Sequence, residues 1–156
     1  MGMDVYGLNP QLNEGSERPE QPDFSNLTEE EKRQYFDSVE KFERENPGYY
    51  FRANIWWWRP LWQYVVEVTD DVLTEEDIVR GMYNEGYEYP PEKTDALVTK
   101  LGKAIEDNHH HQWDRDYKKA IAELDDEAFE KNYPFDPEVV EDFYKFLKQS
   151  GGFMIC

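Results

Sequence analysis

A chain of 156 residues fits one domain, and its five Trp, eleven Tyr and nine Phe supply enough large rings to exclude a wholly disordered chain, although hydrophobic residues make up only 38%. Seventeen basic against 35 acidic residues leave a formal net charge of −18. That charge repels phosphate backbones and excludes sequence-independent binding to DNA or RNA; the acid excess serves either solubility or imitation of nucleic acid toward a basic partner.

In chain order, residues 1–12 read as an ordered loop or short extended piece around Val5, Tyr6 and Leu8, and residues 13–26 as a solvated linker. Thr28 and Glu31 form a capping-box pattern, Tyr35, Phe36, Val39 and Phe42 follow at helical spacing, and Asn46-Pro47-Gly48 ends that helix. After the aromatic run Tyr49–Trp58, Pro60 suits the first turn of a helix whose face is Leu61, Tyr64, Val65 and Val68. Thr74 and Asp77 open a short helix with Ile78, Val79 and Met82, and residues 83–91 read as a loop.

Leu97, Leu101, Ala104, Ile105 and Asn108 mark one further helix, and Tyr117, Ala120, Ile121 and Leu124 another. Asp136 caps the last, with Pro137 at its first position, Val140, Phe143, Tyr144 and Leu147 on its buried face, and Gly151 as its left-handed stop. No period-two alternation stands out, and residues 3–8 with 152–156 suit a minor strand pair. The fold class expected is therefore mainly α: a compact single domain, residues 1–156, of about five to six helices with a minor terminal strand pair.

Cys156 is the only cysteine, so no intrachain disulfide forms, which fits a reducing compartment. No apolar run approaches the roughly 20 residues of a membrane span. The first residues lack a signal-peptide pattern, and the myristoylation and prenylation patterns fail. A cytoplasmic protein is expected.

His109-His110-His111 is the one conspicuous metal-like cluster. Adjacent histidines point in different directions on a helix, whereas paired ligands favour spacings of three or four. The triplet is read as a solvated helix end, with no metal and no cofactor expected. Neither GxSxG nor SxxK, GxGxxG nor P-loop occurs, so no catalytic residue is assigned and binding is favoured over catalysis.

Residues 49–62 stand out instead. Four of the five tryptophans fall in this stretch, which carries Arg52 and Arg59 and no acid. Consecutive Trp56, Trp57 and Trp58 would span about 200° of a helix circumference, at roughly 100° per residue. One core stripe cannot take them all, so the segment is either a central buried element or a cavity wall. Guanidinium groups fork onto phosphate or carboxylate and stack on rings. Asn54 can donate and accept at once. These residue types suit a small anionic, partly planar ligand such as a nucleotide; the competing reading is structural arginines and core tryptophans. Met82, Tyr83, Tyr87 and Tyr89 could line the same pocket or anchor the loop.

The stretches GMDVYGLNP (residues 2–10), YFRANIWWWRPLW (50–62) and SGGFMIC (150–156) resemble a family of small proteins of bacteriophages and bacteria. In that family a Trp-Asn-Asp-Gly-like loop follows the tryptophan block, and Tyr83-Asn84-Glu85-Gly86 stands in its place here. Residues 13–46, an acidic linker plus one helix, look like an insertion relative to shorter members. The resemblance implies a phage-type origin and, by analogy of lifestyle, a role against bacterial defence.

Three functions follow as expectations. The first is a non-enzymatic protein that sequesters a nucleotide-like immune signal, with Arg52 and Arg59 on phosphate, Trp56, Trp57 and Trp58 on the base, Asn54 on polar edges, and Asp4, Tyr6 and Asn9 closing the site. The second is an acidic mimic that occludes a basic surface on a host defence protein through Glu29, Glu30, Asp125, Asp126 and Glu127. The third is a hydrolase of a nucleotide signal. None involves direct contact with nucleic acid or membrane.

Overall fold

Local signals place most helices in the computed structural model, which describes residues 1–156. Thr28 and Glu31 exchange side-chain and backbone hydrogen bonds at the start of α1 (Glu29–Glu45). Thr74 and Asp77 do the same for α3 (Glu75–Arg80). Asp136 and Pro137 open α6 (Pro137–Ser150), and Gly151 closes it at φ 63°, a left-handed position that a Cβ would strain. Between these lie α2 (Ile55–Val68), α4 (Pro91–Glu106) and α5 (His109–Ala122). The mainly helical single domain expected is what forms, and no helix is long and apolar enough to cross a membrane.

Two helix starts differ from the sequence reading. The helix expected to begin near Pro60 begins at Ile55, because the Asn54 side chain accepts from the Trp57 N–H and caps it. Pro60 consequently sits inside α2, where its missing N–H forfeits the bond to the Trp56 carbonyl. The histidine triplet does not end a helix; it begins α5, after Asn108 turns the chain at φ 55°. Asparagine tolerates that left-handed conformation better than most residues.

The expected terminal pair is half of a larger sheet. Strands β1 (Gly2–Gly7), β2 (Tyr50–Asn54), β3 (Tyr87–Tyr89) and β4 (Phe153–Ile155) form an antiparallel sheet of order β2-β1-β4-β3. Val5 lies between Phe51 and Ile155, and Tyr89 faces Phe153 across the β3–β4 edge. Alternation in β1 sends Met3 and Val5 inward and Asp4 and Tyr6 outward. The stretch 83–91, read as a loop, thus contains a strand. A strand of three residues is too short to show a period, and Tyr50 and Phe51 mask the alternation in β2 by being aromatic on both faces.

Helices α2 and α6 cover the inner sheet face, and α4 packs against both helices. A closed circuit of rings ties the layers together: Trp58 stacks on Trp62 at 5.6 Å, Trp62 meets Tyr89 edge-on, Tyr89 stacks on Phe153 at 4.3 Å, and Phe153 and Trp58 both meet Phe143 edge-on. Offset stacking and edge contacts satisfy the ring quadrupoles while burying large area. The polar atoms of this circuit all find partners at one place. Trp58 Nε1–H donates to the Gly81 carbonyl at 2.7 Å, Trp62 Nε1–H to Ile78 at 3.0 Å, and the Tyr89 hydroxyl to Asp77 at 2.7 Å. The Ile78 and Gly81 carbonyls, which the helix itself leaves open, are closed by the indoles, and the Asp77 carbonyl takes the tyrosine hydroxyl beside the Gly81 N–H.

Helix α1 belongs to a long excursion between the paired strands β1 and β2 and buries only Phe42. The solvated linker expected at 13–26 is tied down at its start. Buried Asn46 accepts from the Asn13 N–H at 2.7 Å and donates to the Ser16 hydroxyl, and Asn13 donates to the Glu45 carbonyl.

Candidate functional site

The nine residues expected to form one site are not brought together. Asp4, Tyr6 and Arg52 stand on the outer sheet face, where Asp4 lies opposite Arg52. Arg52 Nε is 3.6 Å from Asp4 Oδ1, and the Tyr50 hydroxyl donates to the same oxygen at 2.5 Å. Burial first, and then the Asp4 carboxylate, raise the pKa of Tyr50 well above the ordinary phenol value. Arg52, 64% exposed at its side chain, is thus neutralised by Asp4 on an open surface. Asn9 is exposed, and its N–H donates to the Ser150 carbonyl.

The tryptophans diverge as their helical spacing requires. Trp58 is fully buried, Trp57 is half-buried against the core, and Trp56 is 38% exposed. Asn54 spends its side-chain oxygen on capping α2. Arg59 and Trp56 remain, and they share a wall. Both meet Tyr133: the Trp56 ring lies 5.3 Å from it, and Arg59 Nη1–H donates to its hydroxyl at 2.5 Å. Phe129 packs on Trp56 at 5.3 Å and is itself 56% exposed.

This wall borders a groove of about 630 Å³ between α2, α3, α5 and the turn Phe129–Asn132. Its floor and sides include Trp62, Val66, Ile78, Met82, Ile121 and Leu124. Volumes of roughly 300–1,000 Å³ with a few polar groups on an apolar lining are usual for small-molecule sites. Here the polar groups are Arg59, Gln63, Glu130 and the Tyr133 hydroxyl. Arg59 forms no ion pair; its contacts are the Tyr133 hydroxyl and, at 5.6 Å, the Tyr133 ring face. Met82 lines the groove, whereas Tyr83 is exposed, Tyr89 is in the core and Tyr87 donates to Asp77.

The far wall was not legible in the sequence. Tyr117, Ile121, Leu124, Glu130 and Tyr133 lie more than 50 residues from Arg59, and only the packing of α5 beside α2 brings them over. The one available signal was Leu124 beside Phe129 in an acidic stretch, two large apolar side chains that remain 38% and 56% exposed.

A second polar region lies where α4 meets α5. Lys100, Lys103, His109 and Arg115 gather there, but Asp71 and Asp107 pair with the two lysines at 2.7 and 3.1 Å. Beside it the triplet splits by direction. His109 Nδ1 meets the Tyr64 hydroxyl at 3.1 Å, His110 is 1% exposed and faces Glu141 of α6, and His111 is exposed. Burial lowers the His110 pKa although the Glu141 carboxylate pulls it up, so the ring is neutral near pH 7. The solvated helix end expected at the triplet therefore does not describe His110.

Comparisons with protein-family models, with curated proteins and with solved structures gave no match.

Proposed function

We propose that the protein is a non-enzymatic binding protein whose groove takes a small, planar, largely apolar ligand with one anionic group held at Arg59. The observation that carries this reading is a guanidinium without a carboxylate partner on the wall of a 630 Å³ apolar groove, in a chain of net charge −18. Elsewhere on the chain acids are plentiful, as the pairing of Arg52 with Asp4 illustrates. An anion inside the groove would gain charge-assisted bonds from Arg59 and a ring face from Trp56 or Tyr133.

The two-arginine phosphate clamp is replaced by a single cation, which favours a ligand with one anionic group over a polyphosphate. Nucleoside monophosphates and cyclic nucleotides stay within the class, consistent with sequestration of a nucleotide signal by a protein of phage type. Glu130 on the same lining disfavours extended polyanions further.

The test is titration with anilinonaphthalene sulfonate, a planar aromatic monoanion, followed by its displacement with nucleoside monophosphates. Saturable one-to-one binding is expected, weakened about tenfold or more in Arg59→Ala, on the scale of one charge-assisted hydrogen bond. Ala120→Trp, which fills the groove from α5, should weaken it equally. Unchanged affinity in both folded variants overturns the proposal.

A further inference from the structure

Outside the groove, one buried imidazole lacks a sufficient protein environment. His110 is 1% exposed, its Nδ1 has no hydrogen-bond partner, and its Nε2 lies 3.4 Å from Glu141 Oε1. That separation is long for a hydrogen bond, which centres near 2.9–3.0 Å. It equals the edge of a tetrahedron around an ion with ligand bonds of about 2.0–2.1 Å. His111 adds a second imidazole, its ring 4.3 Å from that of His110, and one donor atom from each of the three residues falls within 4.8 Å of the others.

We propose that His110, His111 and Glu141 form a binding site for a divalent transition-metal ion of the zinc class, clamping the first turn of α5 to α6. Two imidazoles and one carboxylate make a donor set suited to zinc and leave a coordination position for water. Adjacent histidines cannot do this from one face of a helix by spacing alone. They succeed here because His110 points into the α5–α6 seam, while exposed His111 is free to turn toward it. His111 and the half-buried Glu141 close the remaining distance by side-chain rotation, since both reach solvent.

The orientation of His110 fits the same assignment. With the ion on Nε2 the ring proton resides on Nδ1, and a ligating histidine ordinarily donates that proton to a second acceptor. Asp114 follows His110 by one helical turn, and its side chain leans back toward the helix N-terminus. Its Oδ1 is the other buried side-chain atom without a hydrogen bond, although Lys118 approaches it as an ion pair at 2.9 Å. The two unsatisfied atoms are therefore a donor and an acceptor on one face of α5.

The experiment is zinc titration of the chelator-treated full chain, read by competition with a chromophoric chelator, by native mass spectrometry and by the shift in Tm. One ion per chain and a rise in Tm are expected, because an ion bound only by the folded state stabilises it. Cobalt should give the visible absorption of a low-symmetry, four- or five-coordinate site. His111→Ala and Glu141→Gln, both at positions that reach solvent, should each weaken binding by about tenfold or more. His109→Ala should leave it intact, because His109 faces Tyr64. Absence of binding at micromolar zinc overturns the proposal. So does equal affinity in the wild type and Glu141→Gln, which would remove the carboxylate from the site and with it the clamp to α6.

Discussion

Arg59 and Tyr133, 74 residues apart, meet as a hydrogen bond of 2.5 Å and a cation over a ring at 5.6 Å. The contact holds the guanidinium at the groove wall without using a carboxylate. Tyr133 is itself placed by its neighbours: its carbonyl accepts from the Tyr117 hydroxyl at 2.8 Å, and its ring packs on Trp56 and Phe129. Tyr133→Phe keeps the ring and removes the hydroxyl. It should weaken binding of the anionic probe by only a few-fold, whereas Tyr133→Ala should approach the loss expected for Arg59→Ala. Equal effects of Phe and Ala in a fluorescence titration would show that the hydroxyl alone positions Arg59.

Asp77 carries a pH dependence. It is 1% exposed and serves the α3 capping box, and its carboxylate also accepts from the Tyr87 hydroxyl at 2.7 Å and Lys93 Nζ at 2.5 Å. Burial works to raise its pKa, but the bonds from Lys93, Thr74 and Tyr87 outweigh it, and the carboxyl sits below its ordinary value. A depressed folded-state pKa contributes stability that is fully present above the unfolded value of about 3.9 and is lost as pH falls through the folded one. The resistance of the wild type to urea should therefore fall as pH drops below about 4, and Asp77→Asn should remove part of that slope. Lys93→Met should cost about 1.5–3 kcal/mol at neutral pH, the range for a hydrogen bond to a charged group. A slope unchanged by Asp77→Asn would assign the acid sensitivity to other carboxylates.

What the sequence disclosed and what it hid divide by the distance over which the signal acts. The Thr28–Glu31 box and the Asp136-Pro137…Gly151 frame of α6 are local, and they survive into the structure unchanged. So does the divergence of Trp56, Trp57 and Trp58, which follows from helical geometry alone. The strands β2 and β3 were not legible, because their pairing depends on partners about 50 residues away or more. Arg52 and Arg59 look equivalent in a chain listing. They part because a strand ends between them and Asn54 caps a helix there, turning one toward the outer sheet face and the other toward the groove. The pairing of His110 with Glu141 was hidden for the same reason: 31 positions of sequence separate two side chains that share a seam.

Gly81 should tolerate no side chain. Its φ of −65° is ordinary, so the constraint is space: a Cβ there would overlap the indole of Trp62. The close approach lets the Gly81 carbonyl reach Trp58 Nε1 and lets Trp62 lie flat against the end of α3. Gly81→Ala must displace Trp62 from the ring circuit, and over-packing of this kind costs about 1–3 kcal/mol. A lowered Tm with a shifted tryptophan emission maximum is expected. Wild-type stability in this variant would mean that α3 can move away from α2 without penalty.

The excursion between β1 and β2 is expected to be dispensable for the fold. Tyr6 pairs with Tyr50 and the Gly7 N–H donates to the Tyr49 carbonyl, so the strands are already in hairpin register when the chain departs. Within residues 13–46, Phe42 and Asn46 are buried, and Asn46 mainly ties the excursion to itself through Asn13, Ser16 and Phe42. None of these residues contributes to the ring circuit or to the groove. Replacing residues 13–46 with a short Gly-Asn-rich turn would expose one face of Tyr49, which packs on Phe42 at 5.1 Å, but leave the sheet and helices α2 to α6 in place. The shortened chain should melt cooperatively, bind the aromatic anion with affinity within about threefold of wild type, and lose only the stability of one buried ring, roughly 1.5–3 kcal/mol. Loss of cooperative unfolding in calorimetry would show that α1 is part of the folding unit.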